Sequence, residues 1–195
     1  MESMARPVVH TDSLRSELLA VAAELVDREG PARVTLRDLA AAAGTSTSAV
    51  YSLFGGKSQL LTAVVDDGFR SFRDSQAAAS DGGLRGLGVA YREWALGHQA
   101  LYRLMFGGAL AAYTDCQPTP EVAADAMGPL KEAVAAAQSA GALLPAPVEV
   151  VAVAIWGQVH GLVSLELAQV GPPDTNWAAA YDAALDALGR GWAAP

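Results

Sequence analysis

Between residues 33 and 57 the chain concentrates side chains that can form hydrogen bonds with the bases and phosphates of a nucleic acid. Arginine and lysine neutralise phosphates, and hydroxyl groups bind phosphates or base edges. Each side chain also has a simpler interpretation, because hydroxyls cap helices, a lysine can be merely solvated and Tyr51 could be a core aromatic. The candidates for nucleic-acid contact are Arg33, Thr35, Arg37, Ser46, Thr47, Ser48, Tyr51, Ser52 and Lys57.

Two short helices are predicted to position these side chains. The apolar residues of the first recur at i, i+3, i+4 and i+7, namely Leu36, Leu39, Ala40 and Ala43. Thr35 and Asp38 have the spacing of a capping box at its start. Gly44 supplies a tight turn, because a residue without a Cβ adopts a left-handed backbone at no steric cost.

The second helix is capped by Ser46 or Thr47 and ends at Gly55-Gly56. It is predicted to bury Ala49, Val50 and Leu53. A helix, a glycine turn and a short helix form the helix-turn-helix unit, whose second helix enters the DNA major groove. An apolar stripe at 13–29 predicts a preceding helix, and a long amphipathic helix is predicted to begin at Lys57.

In this order, with T-x-x-x-LA, AG-x-S, Tyr51, Phe54 and Lys57 in register, residues 13–65 resemble the TetR family of bacterial transcriptional regulators. The resemblance implies that Tyr51 contacts a backbone phosphate. It also implies a homodimer formed through helices 148–170 and 174–190, which would present two recognition helices to a palindromic double-stranded DNA operator. Thr47 and Ser48 depart from the basic or glycine residues common in the family, so base preference cannot be transferred from relatives.

Composition predicts an all-α protein: an N-terminal three-helix helix-turn-helix DNA-binding domain, 1–60, and a C-terminal helical ligand-binding and dimerisation domain, 61–195. The net charge of −8 is unusual for a DNA-binding protein. Most of the acidity lies beyond residue 60, however: residues 1–60 hold six Lys/Arg and seven Asp/Glu, whereas residues 61–195 hold seven and fourteen. DNA binding therefore remains compatible with the sequence.

Several classes of protein are disfavoured. The first residues lack the apolar region of a signal peptide, and neither uncharged run, 133–148 or 150–165, is a convincing membrane span, so a cytoplasmic protein is expected. A single cysteine predicts no disulfide framework and no thiolate metal cluster. No catalytic motif such as GxSxG or HExxH occurs, so we expect neither an enzyme nor a cofactor.

The C-terminal half is predicted to contain further helices, among them 120–140, 148–170 and 174–190. Helix 148–170 is apolar on nearly every side, and Gly157 and Gly161 would let another helix approach closely. Without the family resemblance, it could equally be the buried central helix of a monomer.

Aromatic, methionine and histidine residues in this half could line a pocket for a small apolar effector. The candidates are Trp94, His98, Tyr102, Phe106, Met127, Trp156 and His160. Most such residues at helical spacing simply pack in a core, and the chain could act without a ligand. The segment WGQVH-G resembles a TetR subgroup with a Trp-x-x-x-His-Gly motif, whose C-terminal domain binds ligands. No metal site is predicted, since His98 and His160 are far apart in sequence.

The favoured function is a dimeric repressor that the effector releases from its operator. A redox-responsive regulator based on Cys116 is a weaker alternative, because the neighbouring Asp115 should raise the pKa of the thiol.

Overall fold

The computed structural model describes residues 8–108 and 117–195, and within them all regular structure is helical. The α-helices are α1 Val8–Glu29, α2 Leu36–Ala42, α3 Thr47–Phe54, α4 Lys57–Ala78, α5 Gly83–Gly97, α6 Gln99–Phe106, α7 Pro120–Asp125, α8 Gly128–Ser139, α9 Val148–Leu167 and α10 Trp177–Trp192. A single 3-10 turn, Ser80–Gly82, precedes α5. The predicted all-α fold is confirmed.

The chain forms two compact units, each built from two separate segments of the sequence. Unit 1 comprises residues 1–69 and 100–120, and unit 2 comprises residues 70–99 and 121–195. The sequence predicts two consecutive domains instead, 1–60 and 61–195. The difference arises because α6 packs Leu104 into the core of the first unit, with Leu101 and Met105 beside it.

The core of unit 1 is formed where α1, α2, α3 and the first half of α4 meet. Leu18 and Ala22 of α1 are fully buried there, together with Leu39 of α2 and Val50 of α3. Helix α1 ends at Glu29, where Gly30 adopts a left-handed backbone (φ 81°) and donates its N–H to the Val26 carbonyl. This packing holds the two short helices in place, since helices of seven and eight residues are unstable alone.

The core of unit 2 is formed by α5, α8, α9 and α10. Helix α9 contacts each of the other three, through buried residues such as Val151, Ile155 and Val159. Helices α5 and α10 approach closely at Gly88, where a Cβ atom would lie 2.5 Å from the Leu185 side chain. The Tyr181 hydroxyl also donates to the Gly88 carbonyl at 2.7 Å. A side chain at position 88 would therefore force the Leu185 side chain to shift.

The segment predicted as one helix, 120–140, is two helices, α7 and α8, separated at Ala126 and Met127. Pro129 lies in the first turn of α8 and explains the break. Proline lacks an N–H, and inside a helix its ring would collide with the carbonyl four residues earlier, here that of Asp125. The prediction of a continuous helix was wrong because it gave Pro129 no weight.

Helix α9 is long and apolar enough to cross a membrane, judged by length and composition alone. Within the chain, 28% of its most apolar window is buried. One side packs in unit 2, and the opposite side carries exposed Val150, Val153 and Leu165. A fully buried central helix, one of the two alternatives left by the sequence, is therefore excluded for the single chain.

Candidate functional site

A complete capping box fixes the start of α2. The Asp38 N–H donates to Thr35 Oγ1 at 3.2 Å, and Asp38 Oδ2 accepts hydrogen bonds from the Thr35 hydroxyl at 2.6 Å and the Thr35 N–H at 3.1 Å. These bonds to Thr35 hold the pKa of Asp38 below its usual value. The predicted capping box is confirmed, and Thr35 is rigidly positioned.

The turn between α2 and α3 has the backbone that the sequence predicts. Gly44 adopts a left-handed conformation (φ 62°), and the Thr45 N–H donates to the Ala40 carbonyl at 2.9 Å. Ser46 is the N-cap of α3, where its hydroxyl accepts the Ala49 N–H at 3.1 Å. Ser46 Oγ also lies 3.0 Å from Ser48 Oγ, so both hydroxyls are engaged at the helix start.

Helix α3 has one buried and one exposed side. Val50 and Phe54 are buried, whereas Ala49 and Leu53, which the sequence predicts to be buried, are only half-buried. Tyr51 is 55% exposed, which excludes a core role for its ring. Ser52 is exposed beside it. The helix contains no charged residue, so the side chains it presents to solvent are hydroxyls and the tyrosine.

An open groove of about 680 Å³ runs between α2, α3 and the start of α4. It is lined by Val34, Thr35, Leu36, Arg37, Asp38, Thr47, Tyr51 and Lys57. Five of the nine DNA-contact candidates therefore lie together: Thr35, Arg37, Thr47, Tyr51 and Lys57. Arg33, Ser46, Ser48 and Ser52 are exposed nearby in the chain but do not line the groove.

Lys57 has a structural contact that sequence reasoning missed. It is the first residue of α4, and its Nζ donates to the Ala32 carbonyl at 3.1 Å. That bond ties α4 to the turn that follows α1. Arg37 is exposed in the first turn of α2 and lowers the pKa of Asp38 through its charge. The groove is thus lined by two cationic side chains, those of Arg37 and Lys57. Its one carboxylate, that of Asp38, is hydrogen-bonded to Thr35.

The seven candidate ligand residues include three pairs, each four residues apart. Trp94 stacks on His98, and the rings of Trp156 and His160 are 5.4 Å apart. These two pairs and Met127 belong to unit 2, whereas Tyr102 and Phe106, 5.0 Å apart, belong to unit 1.

Trp94 is buried, and its indole N–H donates to Ser71. His160 Nδ1 lies 2.9 Å from the Tyr91 hydroxyl, and burial lowers the pKa of the imidazole. Trp94 and His160 therefore make contacts typical of a core.

Unit 2 contains a cavity of about 90 Å³ between α5, α8, α9 and α10. None of the seven candidate ligand residues lines it. Its lining residues are Gln76, Leu84, Arg85, Leu87, Gly88, Tyr91, Leu130, Ile155, Val159, Leu185, Leu188, Gly189 and Trp192. Most of them are leucine, isoleucine or valine at helical spacing, which sequence reasoning assigns to an ordinary core.

Among residues 8–108 and 117–195, no three His, Cys, Asp or Glu side chains are grouped so that they could hold a metal ion. Cys116, the basis of the redox alternative, lies outside the described residues.

Two family models match the chain. Residues 18–64 match the model described as "Bacterial regulatory proteins, tetR family", and residues 84–188 match "Tetracyclin repressor-like, C-terminal domain". These matches do not confirm the Trp-x-x-x-His-Gly subgroup, which stays a prediction. No curated protein matches the sequence significantly.

Solved structures with the same fold cover nearly the whole chain. A protein of unknown function from Rhodococcus sp. RHA1 is 27% identical, with a TM-score of 0.76 over 92% of this chain and 95% of that chain. A TetR family transcription regulator from Marinobacter aquaeolei VT8 is 20% identical, with a TM-score of 0.75 over 95% and 98%. A TetR-family transcriptional regulator from Pectobacterium atrosepticum is 24% identical, with a TM-score of 0.70 over 97% and 99%.

Proposed function

The chain belongs to the TetR family of bacterial regulatory proteins, and we propose that it acts in the cytoplasm as a dimeric repressor that a small apolar effector releases from a palindromic operator. The observation that carries the DNA-binding part is the groove between α2, α3 and α4. There the capped α3 presents Thr47 and Tyr51, while Arg37 and Lys57 supply positive charge. A helix with exposed hydroxyls flanked by cations suits a major groove lined by phosphates.

The side chains of the groove divide into two roles. Tyr51 and Arg37 are proposed to bind phosphates, which carry no sequence information. Thr47 is proposed to read bases, because its hydroxyl can pair with a base edge and its methyl group can contact the methyl of thymine. The hydroxyl of Ser48 is bonded to Ser46 at 3.0 Å, so Ser48 is the weaker candidate for base reading.

The test begins with an operator selected from a random DNA duplex library by the full-length protein. Tyr51→Phe removes only a hydroxyl and should weaken binding to selected and unrelated duplexes by a similar factor. Thr47→Val keeps the shape and the methyl group, and should change which bases are preferred at one position of each half-site. Selection of the same sequence by Thr47→Val, together with unchanged affinity of Tyr51→Phe, would contradict the contact assignment.

The exposed side of α9 supports a homodimer through helices 148–170 and 174–190. Gly157 and Gly161 lie four residues apart on α9, and a Cβ atom at either would meet nothing within 4 Å. Packing within the chain therefore does not require glycine there. Exposed Val150 and Val153 lie on the same helix, 57% and 56% accessible, and burying such side chains drives association. A second copy covers them and also brings the second recognition helix.

Gly161→Arg tests this interface, because it places a bulky charge where the partner helix should approach. We expect a monomer in sedimentation experiments, with weaker operator binding. Gly97→Arg is the matched control: Gly97 is exposed at the end of α5 and also meets nothing within 4 Å, so this variant should remain dimeric. An intact dimer for Gly161→Arg would place the interface elsewhere.

Release by an effector requires a ligand that prefers the conformation unable to bind DNA. Recognition helices of a dimer must be about 34–36 Å apart to reach successive major grooves, so a small change in their separation prevents simultaneous docking. Coupling of roughly 1–3 kcal/mol would reduce operator affinity about 5–150-fold. A ligand that stabilises the protein but leaves operator affinity unchanged would favour the ligand-independent alternative.

A further inference from the structure

The cavity of unit 2 has an apolar interior. Eight of its lining side chains are hydrocarbon or indole: Leu84, Leu87, Leu130, Ile155, Val159, Leu185, Leu188 and Trp192. They come from four different helices, so the cavity is a feature of the packed unit and not of one segment. Water is bound weakly in such surroundings because it finds few hydrogen-bonding partners, whereas an apolar molecule gains contacts.

Two polar side chains of the cavity, Gln76 and Tyr91, already have partners. The Gln76 amide, with its nitrogen towards the Leu87 carbonyl and its oxygen towards the Tyr91 N–H, is 3.2 Å from each. The Tyr91 hydroxyl lies 2.9 Å from His160 Nδ1. These groups therefore need no hydrogen bond from a ligand, and a polar ligand would have to break existing bonds to form new ones.

The exposed rim of the cavity is formed by Arg85 and Gly189. The Arg85 guanidinium bonds to Asp186 at 2.6 Å and to Asp182 at 3.2 Å, and all three side chains are more than half exposed. Both carboxylates pair with the guanidinium, so the one cation at the rim is already neutralised and offers little attraction to an anionic ligand. Exposed ion pairs of this kind add little stability, so the rim can open at small cost.

We propose that this cavity is a binding site for a small uncharged apolar molecule, of the size of a single ring or a short alkyl chain. An engineered cavity of about 150 Å³ with a comparable lining binds benzene. The present cavity, at about 90 Å³, is smaller but reaches the surface beside Gly189, so one end of a ligand can remain at the rim. That this ligand acts as the effector rests additionally on the proposed function.

The full-length protein, with toluene as the probe and thermal unfolding as the readout, tests the site. For a chain of this length, toluene at about ten times its Kd should raise Tm by roughly 3–6 °C. Benzoate has the same ring with a carboxylate and should give a smaller shift at equal concentration. No shift with toluene near its solubility limit would overturn the proposal, and an equal shift with benzoate would overturn the assignment to an uncharged ligand.

Two glycines of α10 provide a matched pair of variants. Gly189 lines the cavity and Gly191 does not, and a Cβ atom at either position would meet nothing within 4 Å. Leucine also favours helix over glycine, so both substitutions should be tolerated by the backbone. Gly189→Leu should abolish the toluene shift, and Gly191→Leu should preserve it. Loss of the shift in both variants, or in neither, would place the toluene site elsewhere.

A crystal structure of the wild-type protein with toluene provides a test that does not depend on any variant. The ring is expected between Leu130 and Leu188, and a ring bound only outside the cavity would overturn the proposal. Operator binding is measured separately with the same probe. A retained thermal shift without operator release would contradict the effector role and leave the site intact, whereas failure to bind any operator would contradict the proposed function alone.

Discussion

Replacing Arg37 with alanine tests phosphate contact and dimerisation in one experiment. Arg37 is exposed in the first turn of α2 and lines the groove between α2, α3 and α4. It is a better choice than Lys57, whose Nζ donates to the Ala32 carbonyl and so also supports the fold. Loss of the Arg37 side chain should leave the Thr35–Asp38 capping box intact. Any change in DNA binding can then be attributed to the missing positive charge.

The expected magnitude follows from counterion release. Each phosphate contact contributes about 0.9 to the slope of log K against log salt on duplex DNA. A dimer loses two contacts when Arg37 is replaced, so its slope should fall by about 1.8. Between about 50 and about 200 mM salt, the affinity ratio of wild type to variant should therefore shrink about 12-fold. A protein that binds as a monomer would lose one contact, and its ratio would shrink only about 3.5-fold.

Fluorescence anisotropy with a labelled operator, titrated at several salt concentrations, measures these slopes. Arg73→Ala is the control, because it makes the same change in net charge in unit 2, where Arg73 pairs with Asp74 in solvent. Its slope should match that of the wild type. Parallel plots for wild type and Arg37→Ala would refute the phosphate contact, and a decrease near 0.9 would refute binding by both subunits.

Two further predictions concern the polar contacts of α9. Arg92 forms a two-point pair with Glu166 at 2.6 and 2.8 Å, so Glu166→Gln should destabilise the protein by about 1.5–3 kcal/mol in urea unfolding. Asp186→Asn in the exposed Arg85 pair should cost at most about 1 kcal/mol, and equal losses would contradict this ranking. Burial lowers the pKa of His160, so the unfolded chain binds the proton more readily and stability should fall as pH decreases below about 6.5. The urea midpoint of His160→Asn should depend less on pH in that window, and an undiminished dependence would assign the titration to another group.

The helix-turn-helix could be predicted from sequence because its determinants are local. Thr35 and Asp38 are three residues apart, and the bonds between them lie within one helical turn. The turn at Gly44 requires a left-handed backbone, which a glycine adopts at no steric cost. The bond from Lys57 to the Ala32 carbonyl spans 25 residues, and no local pattern reveals it. The interleaving of the two units was missed for the same reason, since it depends on where α6 packs.

Ligand sites formed by several helices are the hardest to predict, and the two candidate sets show why. The set of residue types that suggests a pocket, including Trp94, His98, Trp156 and His160, selects side chains with polar ends. Trp94 and His160, however, bond theirs within the core, to Ser71 and Tyr91. The cavity instead follows from shape. Gly88 lets α10 approach α5, and the neighbouring side chains do not fill the space beside that contact. Whether four helices leave a gap depends on their spacing to within the size of a methyl group, which residue types along one chain do not encode.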